Sequence, residues 1–112
     1  MPEFLVSRIE PDGLIVGHCG NVSFPVGQVF TSIEKERVDA RPPELQVVPL
    51  GVVACVTLIV REVLHCRAQV QIAPRGHAVG LRLEGESIHE LIRALHERKE
   101  HEYIYLRSHA SA

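Results

Sequence analysis

Residues 73–85 read Ala73-Pro74-Arg75-Gly76-His77-Ala78-Val79-Gly80-Leu81-Arg82-Leu83-Glu84-Gly85, and this stretch decides the fold class. Val79, Leu81 and Leu83 are apolar, while Arg82 and Glu84 stand between and after them. That period of two is the mark of a half-buried antiparallel strand with one face in the core. Gly76 suits a tight turn ahead of the strand, and Gly80 lets backbone approach closely within it. Working outward, the same period recurs. From Val52 to Val60 the even positions are Val, Ala, Val, Leu and Val. Ala68, Val70 and Ile72 alternate with Gln69 and Gln71. Val70, Ile72, Leu81 and Leu83 are therefore expected to share one core.

The N-terminal part reads as short strands joined by turn residues. Phe4 to Ile9 is a strand, Pro11-Asp12-Gly13 a turn, and Leu14 to Cys19 a second strand. Gly20-Asn21 turns the chain again. Pro25 can donate no ladder hydrogen bond, so Val22 to Val26 is an edge or a bulge. Val29 to Ile33 is a further strand. Glu34 to Glu44 holds seven charged residues and Pro42-Pro43, the composition of an exposed loop.

One helix is signalled over 87–102. Ser87-Ile88-His89-Glu90 has the form of a capping box. Ile88, Leu91, Ile92 and Leu95 form an apolar stripe, which predicts docking on one end or side of the strands, the alternative being an exposed stripe that binds a partner. Residues 103–107 have strand character suited to a return to the sheet. The tail from Ser108 to Ala112 has nothing to hold it.

A chain of 112 residues suits a single domain, 1–112. Its 46% apolar content allows a packed core, and with 4% aromatics that core must come largely from Val, Leu and Ile. The net charge of -2 disfavours a domain that holds nucleic acid by neutralising phosphates. Cys19, Cys55 and Cys66 cannot all pair and show no C-x-x-C spacing, which fits a reducing compartment. Met1-Pro2-Glu3-Phe4 lacks the look of a secretory signal, and the longest nearly apolar run, Leu50 to Val60, is too short to span a bilayer. A soluble cytoplasmic protein with no membrane partner is expected.

Residues 73–85 also meet every fixed position of A-x-x-G-x-x-V-G-L-x-L-x-G, and in this the chain resembles the second, β-barrel domain of elongation factor Tu and related translation GTPases. Gly17-His18-Cys19-Gly20-Asn21-Val22-Ser23-Phe24-Pro25-Val26-Gly27 is similar to that family's G-R-V-x-x-G-x-I-x-V-G, with the middle glycine displaced to Gly20. The resemblance covers roughly Phe4 to Gly85. It implies a mainly β fold: a small antiparallel β-barrel of the translation-factor type over 4–85, followed here by one C-terminal α-helix. It also implies a binding platform rather than a catalyst. The chain has no G-x-x-x-x-G-K-[ST] and no N-K-x-D, so nucleotide binding and GTP hydrolysis are not expected.

His18-Cys19 and His65-Cys66 are the residues nearest to a metal or thiol site. Neighbours on a strand point to opposite faces, so neither dipeptide presents both side chains to one centre. Cys66 continues the series Ala68, Val70, Ile72 and reads as a small buried hydrophobe. No enzyme, cofactor or metal is expected. Arg75, His77 and Arg82 in the glycine–leucine segment, with Arg93 and His96 on the helix, are the candidate partner-binding residues. The expected function is a non-catalytic module that binds a protein or a structured RNA. The alternative is a small bacterial accessory or immunity-type protein that occludes one protein target.

Overall fold

The computed structural model describes residues 1–41 and 44–109, the side chains of residues 40, 41 and 44 excepted. The strands are β1 (Glu3–Ile9), β2 (Ile15–Cys19), β3 (Phe24–Pro25), β4 (Val29–Arg41), β5 (Glu44–His65), β6 (Ala68–Val70), β7 (Ile72–Ala73) and β8 (Ala78–Glu84). One helix, α1 (Ile88–Glu97), and a last strand, β9 (Glu102–Arg107), complete the fold. The main sheet is antiparallel throughout, in the order β4-β9-β1-β2-β8-β5-β6. β4 also pairs with β5, so the sheet is partly ringed. β3 and β7 form a separate two-stranded sheet.

The core is aliphatic with an aromatic centre. Phe4, Phe24 and Phe30 are fully buried, with Phe24 edge-on to Phe30 at 5.2 Å and to Phe4 at 6.3 Å. Around them lie Ile15, Ile33, Leu58, Val60, Val63, Leu81, Ile104 and Leu106. Of the four residues expected to share a core, Leu81 is fully buried, and Val70 and Leu83 pack partly against the core. Ile72 is 57% exposed. The strand is interrupted at Gln71 between β6 and β7, which resets the alternation. Ala73 then takes the buried place opposite Phe24, and Ile72 sits beside Pro25.

In the 73–85 segment, Gly76 has φ +74°, a left-handed conformation that favours glycine, and it turns the chain into β8. A Cβ on Gly80 would meet Leu14 Cδ2 at 2.8 Å, so the close neighbour is a side chain that covers the strand rather than backbone.

Three further expectations are corrected. The Glu34–Glu44 segment is not a loop: β4 continues to Arg41, and β5 begins at Glu44 (Pro42 and Pro43 lie outside the described residues). Its charges are compatible with a strand because partners take them up. Lys35 meets Glu102 at 3.2 Å, Arg37 meets Asp39 at 3.0 Å, and Glu34 and Glu36 meet Arg107. The sheet is also not completed within 4–85, because β9 lies between β4 and β1.

The third correction concerns the helix, which spans 88–97 rather than 87–102. Arg98 is extended, Lys99 N–H donates to Glu102 Oε1, and His101 has φ 66°, so residues 98–101 turn the chain into β9. The capping box does not form. The Ser87 carbonyl accepts the Glu90 N–H, and the Glu90 carboxylate is engaged by His89 and Arg93. Leu91 and Ala94 are buried, while Ile88 and Leu95 pack partly against the core. The helix is therefore docked, and Ile92 alone of the expected stripe is 50% exposed.

Ser108 and His109 are held too. Ser108 N–H donates to Pro2 O, and His109 N–H donates to Thr31 Oγ1. Residues 110–112 of the expected tail lie outside the described residues.

A partly buried ion network joins β1, β4 and β9. Arg107 donates to Glu3 at 2.9 Å, Glu34 at 3.0 Å and Glu36 at 2.9 Å, and stacks over Tyr105. Burial works to raise the Glu34 carboxyl from its ordinary 4.5. Hydrogen bonds from Ser32, His109 and Arg107 outweigh it and hold the group at about 2. A depressed folded pKa contributes stability that is present above the unfolded value and lost as pH falls through the folded one. Acid unfolding is therefore expected to draw on Glu34 between about pH 4.5 and pH 2. Glu34→Gln should lower stability at neutral pH by at most about 3 kcal/mol and flatten that acid limb. Urea titrations at a series of pH values check both effects, and an unchanged slope would remove Glu34 from the account.

Candidate binding surfaces

The most unusual surface of the molecule is the β4–β5 hairpin. Its register runs Glu34 opposite Val52, Glu36 opposite Pro49, and Val38 opposite Val47. On the other side of β4, Glu34 lies opposite Tyr105 and Glu36 opposite Tyr103. Directly opposed residues share a face. Tyr103, Glu36 and Pro49 therefore form one row across three strands, and Tyr105, Glu34 and Val52 another. Pairing with β9 ends at Arg37, Val38 N–H still donates to His101 O, and from Asp39 the hairpin continues as a two-stranded arm.

The β5 side of this arm's outer face is apolar, while its β4 side carries Glu34, Glu36 and Val38. Leu45 is 75% exposed, Val47 59% and Val52 57%, and Pro49 is exposed beside them. Leu50 and Val53, where the β4–β5 register shifts, add exposed apolar surface on the same strand. Scattered exposed apolar residues are ordinary, whereas a contiguous set on one face marks a contact surface. At the base of the hairpin the opposite face turns inward, with Ile33 opposite Ala54 and Lys35 opposite the buried Ile104, while further out it carries Arg37, Asp39 and the exposed Gln46.

β5 also has an open edge. Among the described residues, its segment from Glu44 to Leu58 pairs only with β4, since pairing with β8 begins at Ile59. That edge is blunted for further strand pairing. Pro49 has no N–H to donate, Gly51 has φ +90°, and the register with β4 shifts three times. The side chains of the arm, rather than its backbone, are what it offers to a partner.

A second feature is a shallow groove between β1 and the end of α1. One part, of about 390 Å³, is lined by residues that include Leu5, Ser7, Arg98, Lys99, His101 and Tyr103. The adjoining part, of about 290 Å³, is lined by Ile9, Ile92, Leu95 and His96 among others, and shares Ser7 and Arg98. Arg98 Nη2 donates to Ser7 O at 3.4 Å at the junction. This side chain is thus spent on backbone.

The five residues expected to bind a partner fall in three separate places. Arg75 and His77 flank Gly76 at the β7–β8 turn, where Arg75 N–H donates to Ser23 Oγ. Arg82, on β8, is held by Asp12 in the β1–β2 turn, at 2.8 Å to the carboxylate and 3.1 Å to its carbonyl. The hydrogen bond from Arg82 holds the Asp12 carboxyl below its ordinary range. Arg93 and His96 are exposed on α1, with Arg93 3.5 Å from Glu90 and His96 at the groove. No hydrogen bond or ion pair among the described residues links the three groups. The arm was not among the sequence-based candidates, although one signal for it was legible. From Leu45 to Val60 no residue is charged, yet Pro49 and Gly51 interrupt the run, which is poor material for a strand buried on both faces.

His18 is exposed and Cys19 buried, on opposite faces of β2 as strand geometry requires. Burial pushes the Cys19 thiol up to about 11, so it is not a thiolate nucleophile at neutral pH. Cys66 is exposed, contrary to expectation, because it sits with Arg67 in a left-handed turn between β5 and β6. His65 and His77 stack edge-on at 5.1 Å. Among the described residues no group of three or more His, Cys, Asp or Glu is placed to hold a metal ion. No helix among them is long and apolar enough to cross a membrane. Comparison with protein-family models, with curated proteins and with solved structures gives no match to this chain.

Proposed function

We propose that the chain is a non-catalytic protein-binding module, and that the outer face of the β4–β5 arm is its binding surface. The observation that carries this reading is the exposed apolar row Leu45, Val47, Pro49 and Val52 on a hairpin that extends past its neighbouring strands. A protein partner suits that row better than a structured RNA. RNA recognition draws on clustered cations and stacking aromatics. Here Arg82 and Arg107 are already paired, and the remaining candidate cations are dispersed.

The scaffold in this reading is a small barrel of the translation-factor type, acting in the cytoplasm. Its support is the β4–β5 pairing that joins the two ends of the six-strand run, together with the glycine–leucine segment that turns at Gly76 and runs through Leu81. The occluding, immunity-type role draws on the same apolar face and would differ only in silencing its target.

A photoreactive amino acid at Val47 tests the reading. Irradiation in native extract should give a discrete protein adduct. The same probe at Arg75 should give none, and Val52→Glu should remove the Val47 adduct. RNA adducts, or protein adducts from Arg75 alone, would count against the arm.

A further inference from the structure

We propose that the partner of the arm is the same face of a second copy of this chain. The proposal rests on the reading of the arm as a protein-binding surface, and names its occupant. β5 carries no charge from Leu45 to Val60, so laying the strand antiparallel against its own copy sets no like charges opposite one another. The nearby carboxylates Glu3, Glu34 and Glu36 gather on Arg107, which screens them in part, and they lie on β1 and β4 beside the β5 row rather than in it.

The row is also self-complementary. A two-fold axis near its middle sets Leu45 of each copy against Val52 of the other, with Val47 and Pro49 between. Apolar then meets apolar in both directions, as an isologous contact requires.

The area is sufficient. Leu45, Val47, Leu50, Val52 and Val53 are between 40% and 75% exposed. Together they offer on the order of 450 Å² of surface, in the middle of the range for the largest patch on a monomer. Counted on both copies, and with a rim that includes Tyr103, the contact reaches about 1,200 Å², the size at which specific interfaces begin. Edge-to-edge pairing is closed off by Pro49, Gly51 and the register shifts, so the arms meet face to face, as two ribbons about 10 Å apart.

Sedimentation of the intact purified chain over a range of concentrations tests this. The expected result is a reversible dimer whose dissociation constant rises about tenfold or more in both Val47→Glu and Leu45→Glu, as for residues central to an interface. Both sites are exposed, so circular dichroism should be unchanged, and Arg93→Glu should dimerise like the parent. A chain that remains monomeric, or one whose dimer survives both arm variants, overturns the proposal. If the chain is monomeric while the Val47 probe still captures a different protein, the binding-surface reading stands and only the second copy is lost. If the probe captures no protein either, both fall.

Discussion

Truncation after Gly85 is expected to unfold the remainder of the chain. The deleted piece contains β9, which pairs with β1 through Glu3–Arg107 to Val6–Ile104 and with β4 through Ser32–Arg107 to Arg37–Glu102. Its loss opens two ladders at once and bares the flanks of β1 and β4, leaving them as unpaired edges. It also removes Ile104, Leu106, Leu91 and Ala94 from the core, and Arg107 from three carboxylates. Each fully buried Leu or Ile alone contributes about 2–5 kcal/mol, against a total stability of about 5–15 kcal/mol for an ordinary domain. The truncated chain should show no cooperative thermal transition and should aggregate. A cooperative transition near that of the parent would mean that the strands up to β8 fold without β9.

Phe30→Ala should be the most damaging single substitution. Phe30 is completely buried and meets Phe24 edge-on, and Phe24 in turn meets Phe4, so the three rings tie β4, β3 and β1 together. Removing a buried ring costs about 3–5 kcal/mol through lost transfer energy and the cavity left behind. For a domain of this size the thermal midpoint should fall by more than about 10 °C. Calorimetry of parent and variant measures it, and a fall of only a degree or two would place Phe30 outside the load of the core.

Where the period of two was unbroken, the fold was legible in the sequence. Val79 and Leu81 on β8, and Phe4 and Val6 at the start of β1, could be read because each residue's face follows from its parity. Parity fails where the strand is interrupted, which is why Ile72 was placed in the core while Ala73 holds that position. The arm was hidden for a different reason. Local composition reports the charges of Glu34 to Asp39 but not their partners. Lys35 finds Glu102, and Glu34 and Glu36 find Arg107, across roughly seventy residues of sequence. Tyr103 to Leu106 had strand character, but nothing local said that the segment would sit between β4 and β1. In the sequence the candidate cations are marked only by their type and by their place on the glycine–leucine segment or the helix. Neither criterion sees that Arg82 is taken up by Asp12.

The most direct test of the arm as the binding surface is side-chain footprinting by hydroxyl radicals. The isolated chain at high dilution is compared with the chain in its assembled state, read residue by residue over the exposed apolar positions. The arm residues Leu45, Val47 and Val52 should become protected on assembly, while Ile72 and Ile92, exposed to a similar degree in the isolated chain, should stay as reactive as before. Protection of Ile92 and the groove beside it, with Leu45 and Val47 unchanged, would contradict the account and move the binding surface to the helix.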